Sequence, residues 1–134
     1  MSAEVVYISD DTDFIEVARK MKKFDIRHLP VVSGDRHLVG IITQRMLYQI
    51  HSPRKLDNGE WYYDEEMLRG IILRNVMEKK VISLHADLSM GEALLIMATT
   101  RCGGIPIIDR HNKLVGIVTR KDILKSLATI YKSG

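Results

Sequence analysis

The feature that most constrains this chain is an internal repeat. At an offset of 76 residues, which carries Val5 onto Val81, the two halves align without a gap. Val5-Val6-Tyr7-Ile8 falls on Val81-Ile82-Ser83-Leu84, Asp11 on Asp87, Glu16 on Glu92, Met21 on Met97 and Pro30 on Pro106. Leu38-Val39-Gly40-Ile41-Ile42-Thr43 falls on Leu114-Val115-Gly116-Ile117-Val118-Thr119, and Met1 on Met77. A single register that keeps proline, glycine and threonine together marks two copies of one unit. The length of 134 residues fits one ordinary domain or two small ones fused.

Both copies have the same periodicities. A short β-branched run (Val5 to Ile8; Val81 to Leu84) leads to Asp11-Thr12-Asp13 or Asp87-Leu88-Ser89, where Asp13 and Ser89 suit helix N-caps. The next helix puts Phe14, Val17, Ala18 and Met21 on one face, and Met90, Ala93, Leu94 and Met97 in the second copy. Two apolar strands follow, Leu29 to Val32 and Leu38 to Ile42, split by Ser33-Gly34-Asp35-Arg36. Their counterparts are Ile105 to Ile108 and Leu114 to Val118, split by Asp109 to Lys113. A second helix starts at Thr43 or Thr119. The expectation is an α/β protein of two β-α-β-β-α repeats.

Between the copies, Ser52-Pro53-Arg54-Lys55-Leu56-Asp57-Asn58-Gly59 reads as a surface loop. Trp61-Tyr62-Tyr63 follows, then an expected helix from Asp64 to about Asn75 with Met67, Leu68, Ile71 and Ile72 apolar. Such an aromatic cluster is either a recognition patch or an anchor that holds a connector on the core. The anchor is the more common use.

The paired unit resembles the cystathionine-β-synthase (CBS) domain, and two in tandem resemble a CBS pair, or Bateman module. The resemblance rests on Leu29-Pro30-Val31-Val32 or Ile105-Pro106-Ile107-Ile108, then Leu-Val-Gly-Ile-x-Thr, then a helix, twice in register. It implies a first repeat over 1–51, a connector over 52–73 and a second repeat over 74–134. Leu73-Arg74-Asn75-Val76-Met77 resembles the lead-in ahead of family repeats, and the first copy lacks its equivalent. That is expected either of a fragment of a longer protein or of a chain missing one short helix. The family's repeats pack through their sheets as a pseudo-twofold pair with two clefts. Such pairs commonly form homodimers, and they regulate by binding adenosine nucleotides.

The family's ligand motif, Gly-h-x-Thr/Ser-x-x-Asp with h apolar, is complete in Gly116-Ile117-Val118-Thr119-Arg120-Lys121-Asp122. A carboxylate can accept hydrogen bonds from the vicinal hydroxyls of a ribose, each contributing roughly 1.5–3 kcal/mol. The resemblance implies that Asp122 grips the ribose, that Thr119 supports ribose or phosphate, and that Ile105 and Pro106 with Val81 or Ile82 sandwich an adenine. The same Thr-x-x-Asp spacing also suits a variant capping box. In the first copy Met46 replaces the acid, and a methionine holds no ribose hydroxyl. The resemblance further brings Arg27 and His28 to the phosphates of the Asp122 cleft, whereas the opposite cleft would have only Gly103 and Gly104. The expected ligand is AMP, ADP or ATP, with S-adenosylmethionine as an alternative. A ligand-free dimerisation module is the rival reading.

Composition narrows the field further. With 20 basic against 17 acidic residues the net charge is only +3, no footprint for nucleic acid. No apolar run approaches the roughly 18 residues of a membrane span. The start MSAEVVYISDD does not read as a secretory signal, and with the single Cys102 it suggests the cytoplasm. The five histidines and one cysteine lack metal-ligand spacing. Cys102 has only Arg101 beside it as activator, so no catalytic residue is expected.

Overall fold

The computed structural model describes residues 5–51, 53–87, 90–100 and 102–133, without the side chains of 90 and 131–133. Ser89, the expected cap of the second copy, lies outside them, as do Met1 and Arg101. In chain order the elements are β1 (Ile8–Ser9), α1 (Phe14–Phe24), β2 (His28–Ser33), β3 (His37–Thr43), α2 (Gln44–Ile50), β4 (Arg54–Lys55), β5 (Trp61–Tyr62), α3 (Glu65–Leu68), α4 (Leu73–Val76), β6 (Leu84–His85), α5 (Met90–Thr99), β7 (Gly104–Ile108), β8 (Leu114–Thr119) and α6 (Arg120–Ser133). Each copy is therefore β-α-β-β-α, with a three-stranded sheet ordered β1-β2-β3 or β6-β7-β8.

The chain divides into two compact units, Tyr7–Gly34 with Val39–Val81, and Met1–Val6 with Asp35–Leu38 and Ile82–Gly134. In the first of these, Asp13 caps α1 by accepting from Ile15 N at 3.2 Å, and Asp25, left-handed at φ 50°, closes it. Phe14, Val17, Ala18 and Met21 are buried, as their spacing requires. β1 pairs parallel to β2, Ile8 opposite Val31. The outer side of β3 is also occupied: Ile41 N donates to Glu78 O at 3.0 Å and Glu78 N to Ile41 O at 2.9 Å. Beside that bridge, a Cβ on Gly40 would stand 2.7 Å from Met77 Sδ. A side chain there would displace that sulfur and crowd Glu78 O at 3.1 Å, so glycine suits the strand where the segment crosses it.

The connector departs from expectation. The helix expected over 64–75 is two single turns, because Gly70 takes the left-handed region at φ 86° and ends it. Leu68 is fully buried, but Met67 and Ile72 are exposed and Ile71 is half-buried. The stretch expected as a surface loop is exposed over 54–59 and contributes one short strand to a small hairpin, Arg54 opposite Tyr62 and Lys55 opposite Trp61. Its aromatics anchor it. Tyr63 is buried, edge-on to Trp61 at 5.3 Å and 6.4 Å from the Tyr48 ring. Lys22 lies 5.0 Å from the centre of the Trp61 ring and donates to Trp61 O at 2.7 Å. Arg19 grips Glu65 with two hydrogen bonds of 2.8 and 2.9 Å.

In the other unit, β7 runs between β6 (parallel, Leu84 opposite Ile107) and β8 (antiparallel, Pro106 opposite Ile117). The run expected as strand over 81–84 pairs only at its end, with Leu84 opposite Ile107 and His85 opposite Ile108. The core gathers Leu84, Ala93, Met97, Ile105, Ile107, Val118 and Ile123, with Ile96 against it. Leu94, expected on the buried face of α5, is 41% exposed. The buried line runs through Ala93, Ile96 and Met97, and Leu94 stands one step of about 100° from Ala93. The β7–β8 turn is tied by Asp109, whose Oδ1 accepts from His111 N at 2.8 Å and Lys113 N at 3.0 Å. In this unit Leu38 N also donates to Asn112 O at 3.1 Å, and Leu114 N to Arg36 O at 2.9 Å.

Candidate functional site

The strand-to-helix junction from Gly116 to Asp122 carries the most specific chemistry. β8 ends at Thr119 and α6 begins one residue later. Three hydrogen bonds lock the junction. Thr119 N donates to Asp122 Oδ2 at 2.9 Å, Thr119 Oγ1 donates to the same oxygen at 3.0 Å, and Asp122 N donates to Thr119 Oγ1 at 3.3 Å. This is the capping box that the spacing allowed. All of its bonds to the carboxylate use Oδ2. Among the described residues no hydrogen bond reaches Oδ1, and Asp122 is half-buried. Capping and holding a second group are therefore compatible, because one carboxylate oxygen fixes the side chain while the other can accept.

At the equivalent junction of the first repeat Thr43 Oγ1 accepts from Met46 N at 3.1 Å, so the cap forms without an acid. Folding alone does not demand a carboxylate at this position. A backbone tie recurs as well: Gln44 N donates to Arg27 O at 2.9 Å, and Arg120 N to Gly103 O at 3.0 Å. Each helix start is thus pinned to the segment ahead of its own repeat's central strand. Only the first repeat puts an arginine and a histidine there.

The remaining candidates are placed as follows. Arg27 is exposed just before β2, and His28, half-buried, is the first residue of β2. Both fall in the unit that lacks Asp122. Ile105 and Pro106 are fully buried in β7, and the Ile105 side chain belongs to the core. Val81 is half-buried and Ile82 is 42% exposed, both ahead of β6. Among these residues the structure joins Thr119 directly to Asp122. The sharing of Asp122 between its two oxygens was beyond reach of spacing, since both readings of the motif need the same residues.

Among the described residues no cluster of three His, Cys, Asp or Glu side chains suits a metal. Cys102 Sγ contacts Gly104 O at 3.1 Å. No described helix is long and apolar enough to cross a membrane.

The repeat, its β-α-β-β-α order and the Gly116–Asp122 junction together define a class. The CBS domain family profile matches residues 1–50 and 73–129, and the chain belongs to the CBS domain family. It is 34% identical over 122 residues to an inosine-5'-monophosphate dehydrogenase of Methanocaldococcus jannaschii, covering 91% of this chain and 21% of the dehydrogenase. A CBS domain-containing protein of Dictyostelium discoideum is 30% identical over 131 residues, covering 97% of this chain and 89% of that protein. The chain thus spans about a fifth of the dehydrogenase and most of the second relative. Among solved structures, the CBS domain pair of protein MJ0100 in complex with 5'-methylthioadenosine and S-adenosyl-L-methionine matches with a TM-score of 0.78 at 25% identity. That match covers 96% of this chain and 92% of the other. The fold is that of a CBS domain pair.

Proposed function

We propose that the chain is a regulatory module that binds an adenosine nucleotide, AMP, ADP or ATP, at one site per chain. The observation that supports it best is the Asp122 carboxylate, oriented through Oδ2 while Oδ1 accepts no hydrogen bond among the described residues. In this reading Oδ1 accepts from the ribose hydroxyls, and Arg27 and His28 reach the phosphates. Val81 and Ile82 flank the adenine, with Ile105 and Pro106 as the strand behind it. The adenosine ligands of the MJ0100 pair support the ligand class, and S-adenosylmethionine stands as the alternative ligand. Signalling requires different affinity for two states of the module, read out through a dimer or through a catalytic or transport partner, in the same chain or another. The module itself carries out no reaction, and we place it in the cytoplasm.

A second reading, a ligand-free dimerisation module, draws on α6, where Leu124, Leu127 and Ile130 are 61%, 46% and 68% exposed. Substitution of Asp122 separates the two. Asp122→Glu retains an acid suited to the capping box, so the melting temperature without ligand should hold. It also pushes the carboxylate roughly an ångström further out, which should weaken nucleotide affinity at least about tenfold, or 1.4 kcal/mol. Asp122→Ala should lose both roles, at about 1 kcal/mol of stability. Calorimetry with AMP, ADP, ATP and S-adenosylmethionine checks this. Affinity unchanged in both variants, or absent from the parent chain, removes the nucleotide reading.

A further inference from the structure

The two repeats differ in what lies over their helices. In the first, the connector lies on α1 and α2. Arg19 of α1 holds Glu65 of α3 with two hydrogen bonds, Lys22 of α1 meets the ring and carbonyl of Trp61, and Tyr48 of α2 meets the Tyr63 ring. Arg19 and Lys22 are neighbours at i, i+3, and Trp61 stands edge-on to Tyr63, so the three contacts form one covered face. The repeat offset of 76 residues carries Arg19 to Leu95, Lys22 to Ala98 and Tyr48 to Leu124. In the second repeat, therefore, apolar side chains replace every group that holds the connector. They also stand in the open: Leu95 is 63% and Leu124 61% exposed, and Ala98 is exposed as well. Leu94 and Leu127 extend the exposed apolar surface along the same two helices.

We propose that the connector takes up, within the chain, the helix face by which the first repeat could pair, and that the chain associates with a second copy through α5 and α6 of the second repeat alone. The chemistry of the open face suits a copy of itself. A twofold contact sets the same patch against itself, so a patch of one charge repels its partner and an uncharged apolar one does not. From Ala93 to Thr100 α5 has no charged residue, and from Ile123 to Ile130 α6 has only Lys125. A partner built like the connector would find no cation to hold it, because Arg19 and Lys22 have no charged counterparts. Leucines exposed side by side are what monomers avoid and interfaces use. The inference rests on the chain forming a dimer, under either functional reading, and assigns the surface that makes it.

Light scattering on the full chain without nucleotide, over a micromolar concentration series, tests this. The parent chain should show twice the chain mass. Leu95→Arg, which copies the residue at the equivalent position of the first repeat, and Leu124→Glu should each weaken the dimer at least about tenfold and return the monomer mass. Both positions are mostly exposed, so circular dichroism should show the same fold in each variant. The matching changes in the first repeat, Arg19→Leu and Tyr48→Glu, should leave the dimer mass in place. A dimer that survives both second-repeat changes overturns the assignment of this face and leaves dimerisation itself standing. Loss of the dimer in Tyr48→Glu to the same extent as in Leu124→Glu overturns the exclusion of the first repeat. A parent monomer throughout the series overturns the proposal together with the dimerisation reading and gives the face to a different protein. None of these outcomes bears on nucleotide affinity, which the Asp122 variants report separately.

Discussion

Three positions with acids or their replacements show how much one residue can decide. Asp122 and Met46 occupy equivalent places after a capping threonine, and both helices start correctly. The acid is thus in excess of what the helix needs. Asp109 is a different case, a half-buried carboxylate that ties its own turn. The hydrogen bond from Lys113 N, aided by that from His111 N, holds its carboxyl below the usual value against the opposing effect of desolvation. A carboxyl depressed on folding adds stability above its unfolded value of about 3.9, and that contribution is lost as pH falls through the folded value. Asp109→Asn keeps an acceptor oxygen without the titration. Its urea midpoint should therefore drop less than that of the parent chain between about pH 5 and about pH 3. Equal acid sensitivity in both chains would show that the turn does not contribute.

At the scale of elements, periodicity carried far where one pattern had one cause. The stripe of α1 and the paired apolar strands followed from spacing and from two glycine-bearing or acid-bearing turns. The connector was less legible. Its helical spacing continues through Arg69 and Gly70, and only the left-handed backbone at Gly70 reveals the break. Leu94 was misplaced because an apolar residue beside a buried line looks the same in sequence as one within it. Tyr63 shows what the aromatic anchor costs. Burial, and then its neighbour Tyr48, push its hydroxyl well above the ordinary tyrosine range, and among the described residues the buried oxygen meets no hydrogen-bond partner. An unsatisfied buried hydroxyl costs about 1–3 kcal/mol. Tyr63→Phe should therefore leave stability unchanged or raise it by up to about 1 kcal/mol in a denaturant titration. A loss of more than that would mean the hydroxyl has a partner in solution.

For the whole molecule the repeat was the decisive signal, because it fixed the unit, its order and its family before any contact was known. The site was only partly legible. Thr119 and Asp122 are local in sequence and came out together, whereas a site assembled from residues some ninety positions apart rests on the family resemblance. Met46 and the Gly103-Gly104 pair lead us to expect about one nucleotide per chain at saturation, measured by calorimetry. Two equivalent sites would contradict the asymmetry between the repeats. The exposed α6 stripe of Leu124, Leu127 and Ile130 is a candidate self-association surface. Light scattering should give twice the 15.3 kDa chain mass at micromolar concentration. Leu127→Glu should then return the monomer mass, and a wild-type monomer would count against this surface.

The connector starts at the end of α2 and runs, within one unit, to Glu78, which bridges Ile41 on the strand that precedes α2. Both ends of the excursion are therefore moored independently of its length. Lengthening a loop whose ends are already fixed costs only a logarithmic entropy increment, roughly 0.6 kcal/mol per doubling. The tip at Asn58-Gly59 is exposed, and a side chain on Gly59 would meet nothing within 4 Å, although its φ of 91° makes Gly59 itself a residue to keep. A guest sequence spliced between Leu56 and Asn58 should ride on the module without entering its core. That makes the hairpin tip the natural mounting point for a fluorescent reporter on either repeat's response.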